Sequence, residues 1–125
     1  MINVYETEDG VVFDMSQLEC DALRSYADGL VADPEHPFVE LLRSQGLVVG
    51  DTPVPHLAVL LQAFSQATKV LTAWVVAPAG CRRATFFVGP HSAVVSRCDE
   101  GGLYAGEDDL LSVWAIDSAQ LRETF

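Results

Sequence analysis

Residues 70–98 read VLTAWVVAPAGCRRATFFVGPHSAVVSRC, and their spacing decides the fold. Three runs, 70–77, 82–89 and 92–98, are rich in β-branched and aromatic residues and are separated by Pro78-Ala79-Gly80 and Gly89-Pro90-His91. Such side chains pack well on a pleated surface, while proline and glycine supply turn dihedrals, so the segment predicts an antiparallel meander. A further strand over 110–116 follows the glycine-rich, acidic stretch 99–109, which brings the expected sheet to about four strands.

Register then assigns faces. A two-residue turn after Gly89 sets Phe87 opposite Val94 and Phe86 opposite Val95, and a four-residue loop sets Ala77 opposite Arg82. Side chains alternate across a sheet, so Leu71, Val75, Phe86, Val88 and Val95 share one uniformly apolar face, which is expected to lie on the helices. The opposite face carries Thr72, Trp74, Val76, Arg83, Phe87 and Val94. A second face in water normally turns polar, so Trp74 and Phe87 require a cover, either the C-terminal helix or another protein. In the second case Trp74, Phe87 and Val94 are the expected interface anchors. Thr72 and Val76 would lie beside them and Arg83 at the rim, because aromatics and arginine dominate such contacts.

Upstream of the meander the period is helical. Val4 to Phe13 reads as a short N-terminal hairpin around Asp9-Gly10. Ser16-Gln17-Leu18-Glu19 is a capping box that starts a helix over about 17–28, with Gly29 as its left-handed stop. A turn at Asp33-Pro34-Glu35-His36-Pro37 leads to a second helix from Phe38 to Gln45, closed by Gly46 with Leu47 making the apolar cap contact. Pro53-Val54-Pro55 introduces a third, whose Leu57, Leu60, Leu61 and Phe64 form an apolar stripe. Ser118 is expected to cap a last short helix. No linker or repeat interrupts this order, so residues 1–125 read as a single α+β domain: the meander packed on N-terminal helices, with a hairpin before and a helix after.

Composition bounds the function. At 125 residues with 50% hydrophobic content the chain can bury one core. Its formal net charge of -11 would repel a phosphate backbone, so nucleic acid is a poor partner. Residues 1–51 hold eleven acids and two arginines, whereas 52–125 hold seven acids and five bases. The N-terminus lacks the basic and apolar regions of a signal peptide, and no apolar run approaches the ~18 residues of a membrane span. Cys20, Cys81 and Cys98 form neither an even framework nor a close metal pair, and read as free thiols in a reducing cytoplasm.

Chemistry-bearing motifs are weak. A nucleophilic pair of Cys98 and His91 would be separated along the hairpin. His36 and His56 each neighbour a proline in a turn or at a helix start, where a surface or capping role is expected over metal ligation. Glu107-Asp108-Asp109 lacks the spaced ligands of a calcium loop. Asp99-Glu100-Gly101-Gly102 lacks the lysine and hydroxyl of a phosphate loop. Arg82, Arg83 and Arg97 gather at one end of the central hairpin, where ion pairing within the chain is expected. Neither a catalytic set nor a metal or cofactor site is expected.

Three short runs carry a family resemblance: Val4-Tyr5-Glu6-Thr7-Glu8-Asp9-Gly10 leading to Leu18, Leu42-Arg43-Ser44-Gln45-Gly46-Leu47, and Pro53-Val54-Pro55-His56-Leu57-Ala58. With the hairpin from Arg82 to Val95, they make the chain resemble one subdomain of the EspG-type chaperones of type VII secretion. The resemblance implies a cytosolic, non-catalytic, cofactor-free protein that shields the exposed end of a PE–PPE pair of secreted substrates. That family is built from two similar subdomains, and a homodimer through the sheet would supply the second. Two other classes of function remain open. An acidic regulatory or immunity-type protein would mask a basic partner with residues 1–51, and a small-ligand domain would need a deep polar pocket.

Overall fold

The computed structural model describes residues 2–8, 10–29, 36–50, 52–77, 80–98 and 110–117, with side chains throughout except at 76, 77, 80 and 81. In chain order the elements are β1 (Asn3–Thr7), β2 (Gly10–Ser16), α1 (Gln17–Ala27), α2 (Pro37–Ser44), β3 (Val48–Val49), β4 (Thr52–Pro53), α3 (Pro55–Gln66), β5 (Lys69–Ala77), β6 (Gly80–Val88), β7 (Ser92–Cys98) and β8 (Leu110–Asp117). The class is α+β, as the period change in the sequence requires. The expected terminal helix and the acidic loop 99–109 lie outside the described residues.

Local signals set the helix ends. At α1 the Ser16 hydroxyl accepts from the Glu19 amide at 3.1 Å, and the Glu19 carboxylate accepts from the Ser16 amide at 3.0 Å. Two amides that a helix start leaves unpaired are thereby satisfied. Burial works to raise the Glu19 carboxyl pKa, but hydrogen bonds at Ser16 act in the opposite sense and the net position is below 4.5. A carboxyl depressed in the folded state stabilises it above the unfolded pKa, and that contribution is lost as pH falls through the folded value. Ser16→Ala is therefore expected to cost about 1 kcal/mol near neutral pH. Glu19→Gln should flatten the acid limb of a stability–pH curve measured by urea unfolding; an unaltered acid limb would remove Glu19 from the account.

α2 ends in a Schellman motif. Gly46 has a φ of 73° and donates to the Arg43 carbonyl at 3.0 Å, while Leu47 donates to the Leu42 carbonyl at 2.9 Å and is buried. Its start is capped by His36, whose Nδ1 accepts from the Phe38 amide at 3.1 Å. The chain then makes the small β3–β4 hairpin before α3.

The main sheet has six antiparallel strands in the order β1-β2-β8-β7-β6-β5. This is larger than the four-strand expectation, because the N-terminal hairpin is not a separate piece. β2 pairs with β8, Phe13 against Val113 and Met15 against Leu111, and so extends the meander. The β6–β7 register holds as read, with Phe87 opposite Val94 and Phe86 opposite Val95. In the β5–β6 hairpin Ala77 faces Gly80 instead of Arg82, which slides the pairing by two residues and leaves every side chain on its expected face.

Which face meets the helices is the reverse of the expectation. The buried core joins Leu23 of α1, Leu42 of α2 and Leu57, Leu60 and Phe64 of α3 to Phe13, Met15, Phe87, Val94, Cys98, Leu111 and Val113 of the sheet. Phe64 meets the Phe87 ring edge-on at a centroid distance of 5.3 Å. The Arg24 guanidinium lies 4.4 Å from the Phe87 ring centroid. The helices thus cover the face of Phe87 and Val94.

Candidate functional site

Placing the helices on that face relocates the surface that can bind. Phe87 and Val94 are buried at 6% and 0% exposure, so they are core residues and not surface anchors in the single chain. Arg83 is buried as well, beside Cys98 in the register. Trp74 and Thr72 stand on the same face but at its outermost strand, past the reach of the helices, and Trp74 remains 49% exposed. The side chain of Val76 lies outside the described residues. The structure therefore splits the expected set: three members enter the core, and two stay on the β5 margin.

The opposite face carries an apolar row that crosses four strands, Leu71, Phe86, Val95 and Trp114, each opposite the next. Its middle is shielded, since Val95 is buried and Phe86 and Trp114 are half-buried. Toward β5 it opens to solvent: Leu71 is 55% exposed and Val75 63%. With Val70 at 55% on the helix side, β5 exposes large apolar groups on both faces. Every described side chain of the strand, from Lys69 to Val75, is exposed.

The two ends of the sheet are unlike. β1 has five residues, and it carries Glu6 with Glu8 just beyond. A short strand bearing charge is a protected edge. β5 has nine residues in unbroken register, without an internal proline or bulge, and its one charge, Lys69, is at its start. Trp74 and Thr72 belong to the expected surface through the face they share. Position carries the further signal: Lys69 opens the first strand of the meander, which has a neighbour on one side alone among the described strands, and an outermost strand exposes both faces whatever its alternation.

Two solvent-open grooves adjoin this face. One of about 240 Å3 is lined by Tyr5, Val12, Arg97, Ser112 and Trp114, with the Arg97 guanidinium 5.7 Å from the Trp114 ring centroid. Two of its lining residues are held by Asp14, which accepts from the Ser112 hydroxyl at 2.9 Å and the Tyr5 hydroxyl at 3.3 Å. Its volume is below the usual range for small-molecule sites. The second, of about 420 Å3, runs beside β5 along Ala73, Val75, Arg82, Ala84 and Arg97.

The remaining candidates for chemistry are dispersed. Cys98 is buried at the end of β7 opposite to the turn that holds the exposed His91. The Cys20 thiol is pushed up to about 12, first by burial and then by Asp21, against a hydrogen bond with Ser96. A thiol so placed is a poor nucleophile at neutral pH. His56 packs its ring 5.9 Å from Phe13 at the start of α3. Among the described residues no group of three metal-ligating side chains forms, and no described helix is long and apolar enough to cross a membrane.

No family model, no curated protein and no solved structure matches this chain.

Proposed function

We propose that this chain is a non-catalytic protein-binding domain whose working surface is the β5 margin of the sheet. One observation carries the reading: Val70, Leu71, Trp74 and Val75 are 55%, 55%, 49% and 63% exposed on a long outer strand, whereas Val94, Val95, Leu111 and Val113 of the inner strands are buried. Exposed apolar area of this kind is where proteins bury surface against one another. Strand addition at an open edge supplies main-chain hydrogen bonds for affinity and side-chain pairs for specificity.

In kind the function is chaperone-like or adaptor-like, as the resemblance to one EspG subdomain suggests, and an apolar secreted protein is the class of partner it implies. Cys20 and Cys98, both buried and neither in a disulfide, suit a reducing cytoplasm. A second reading has an observation of its own. Exposed Glu6, Glu8, Asp21, Asp28 and Glu40 sit in a first half of net charge -9, which would steer a basic partner.

The two readings separate by salt and by site. Capture of proteins from the native cytoplasm should fall at least tenfold with Leu71→Glu or Val75→Glu and change little with salt. Equal capture by folded variants, together with steep loss of binding in added salt, would move the function to the acidic helical half.

A further inference from the structure

We infer that the first turn of α2 is a pH-sensitive element, held closed by the neutral imidazole of His36 and released when that ring takes a proton. The inference rests on the helix start and is independent of the protein-binding reading of β5.

A helix start leaves its first amides without carbonyl partners inside the helix. Pro37 opens α2 with its φ already set and brings no amide of its own. The next amide, that of Phe38, donates to Nδ1 of His36 at 3.1 Å. The Glu40 amide donates to the His36 carbonyl, also at 3.1 Å. His36 therefore anchors the turn with both its ring and its backbone.

The chemistry of the ring sets this cap apart. A nitrogen that accepts from an amide is unprotonated, so Nδ1 carries a lone pair and the ring proton is at Nε2. A proton added to Nδ1 turns the acceptor into a donor aimed at the Phe38 amide. It also places positive charge at the positive end of the helix dipole. Histidine is the side chain that changes charge between about pH 5 and 8. The Ser16 hydroxyl that caps α1 keeps its acceptor throughout that range, and α3 has no side-chain cap. The His36 ring is exposed, so protons reach it without prior unfolding.

Few charged groups bear on the ring. On α2 they are the exposed Glu40, one turn in, and Arg43 at the far end, which donates to the Gly50 carbonyl at 3.0 Å. Glu40 attracts an imidazolium and so assists release. β3, which packs on α2, and β4 and α3 after it hold no Asp, Glu, Lys or Arg. Their one titratable side chain is His56, whose ring lies on Phe13. Asp33 and Glu35, which precede His36, lie outside the described residues.

Release has a local consequence. Phe38 and Val39 are buried and belong to the turn that the cap closes, so opening it uncovers apolar surface on the helix layer. The closure at Gly46 and Leu47 holds the other end of α2 in place. Because the closed turn needs the neutral ring, the cap's contribution is complete at the alkaline end of the histidine range and is lost as pH falls through it. That window lies above the one in which the Glu19 carboxylate titrates.

The test is urea unfolding of the full chain in steps from about pH 8 to about pH 5, for the wild type, His36→Asn and His36→Ala. Asparagine caps as well as serine and does not titrate, whereas alanine offers no acceptor. Glu19, His56 and His91 are common to all three chains, so their titration cancels in the comparison. Over that range the unfolding constant of the wild type is expected to rise about fivefold relative to His36→Asn and to approach that of His36→Ala. In native-state hydrogen exchange the protection factors of the Phe38 and Glu40 amides should fall by about the same factor in the wild type and hold steady in His36→Asn. Wild-type and His36→Asn stabilities that run parallel with pH, or a Phe38 amide equally protected at both ends of the range, would overturn the inference.

Discussion

Phe87→Ala is expected to destabilise the domain by about 3–5 kcal/mol, the range for removing a buried aromatic ring from a packed core. Phe87 is 6% exposed, stacked edge-on against Phe64 from α3 and capped by the Arg24 guanidinium from α1. Truncation leaves a cavity at the point where both helices meet the sheet, and it removes a cation–π contact of about 0.5–1 kcal/mol. Trp74→Ala, only one strand away, should cost far less, because half of that ring is already in water. Urea unfolding of the two variants at equal slope measures the contrast. Equal losses would mean that the helices do not cover the Phe87 face. For the same reason Phe87→Asp cannot serve as a surface probe: a charge placed there unfolds the chain before it can report on binding.

Gly89→Ala should cost about 1–3 kcal/mol through overpacking, although alanine ordinarily favours the folded state over glycine. A Cβ at this position would come 2.8 Å from the Gln66 carbonyl oxygen and 3.2 Å from the Ser92 carbonyl oxygen. Both are backbone atoms, one at the end of α3 and the other accepting the hydrogen bond that closes the β6–β7 turn. Neither can rotate aside, so either the helix end or the turn must shift. A drop of several degrees in Tm is expected for a domain of this size, and an unchanged or raised Tm would show that α3 does not press on the turn.

Both predictions depend on where the helices lie, which is the part of the fold that was hardest to read from the chain. Caps were legible because their partners are within a few residues: Ser16 with Glu19, Leu42 with Leu47. The β6–β7 register was legible for the same reason, through a turn confined to Pro90-His91. Facing was not legible. Leu71, Phe86 and Val95 on one side and Phe87 and Val94 on the other are equally apolar, so alternation offers no choice between them. The choice is made by contacts distant in sequence, Phe64 on Phe87 and the Cys20–Ser96 hydrogen bond. The pairing of β2 with β8 likewise joins residues about a hundred positions apart, and the expected hairpin stops at Phe13, short of Met15 and Ser16, which pair with Leu111 and Leu110.

For the candidate site the same logic separates what was read from what was missed. A sheet face with an exposed aromatic was legible, and Trp74 and Thr72 lie on it. Phe87, Val94 and Arg83 were assigned to it by face alone. Exposure at a sheet depends on lateral position as well as on face, and lateral position follows from the full strand order, with β5 outermost.

Amide hydrogen exchange across β5, measured at low and at high protein concentration, tests the central claim most directly. Leu71, Ala73 and Val75 bond inward to β6 and should be protected at both. Val70 and Thr72 point outward and should exchange fast when dilute, then slow at least tenfold as the edge becomes occupied. Outward amides that stay equally fast at every concentration and with cell extract added would contradict a docking role for this edge.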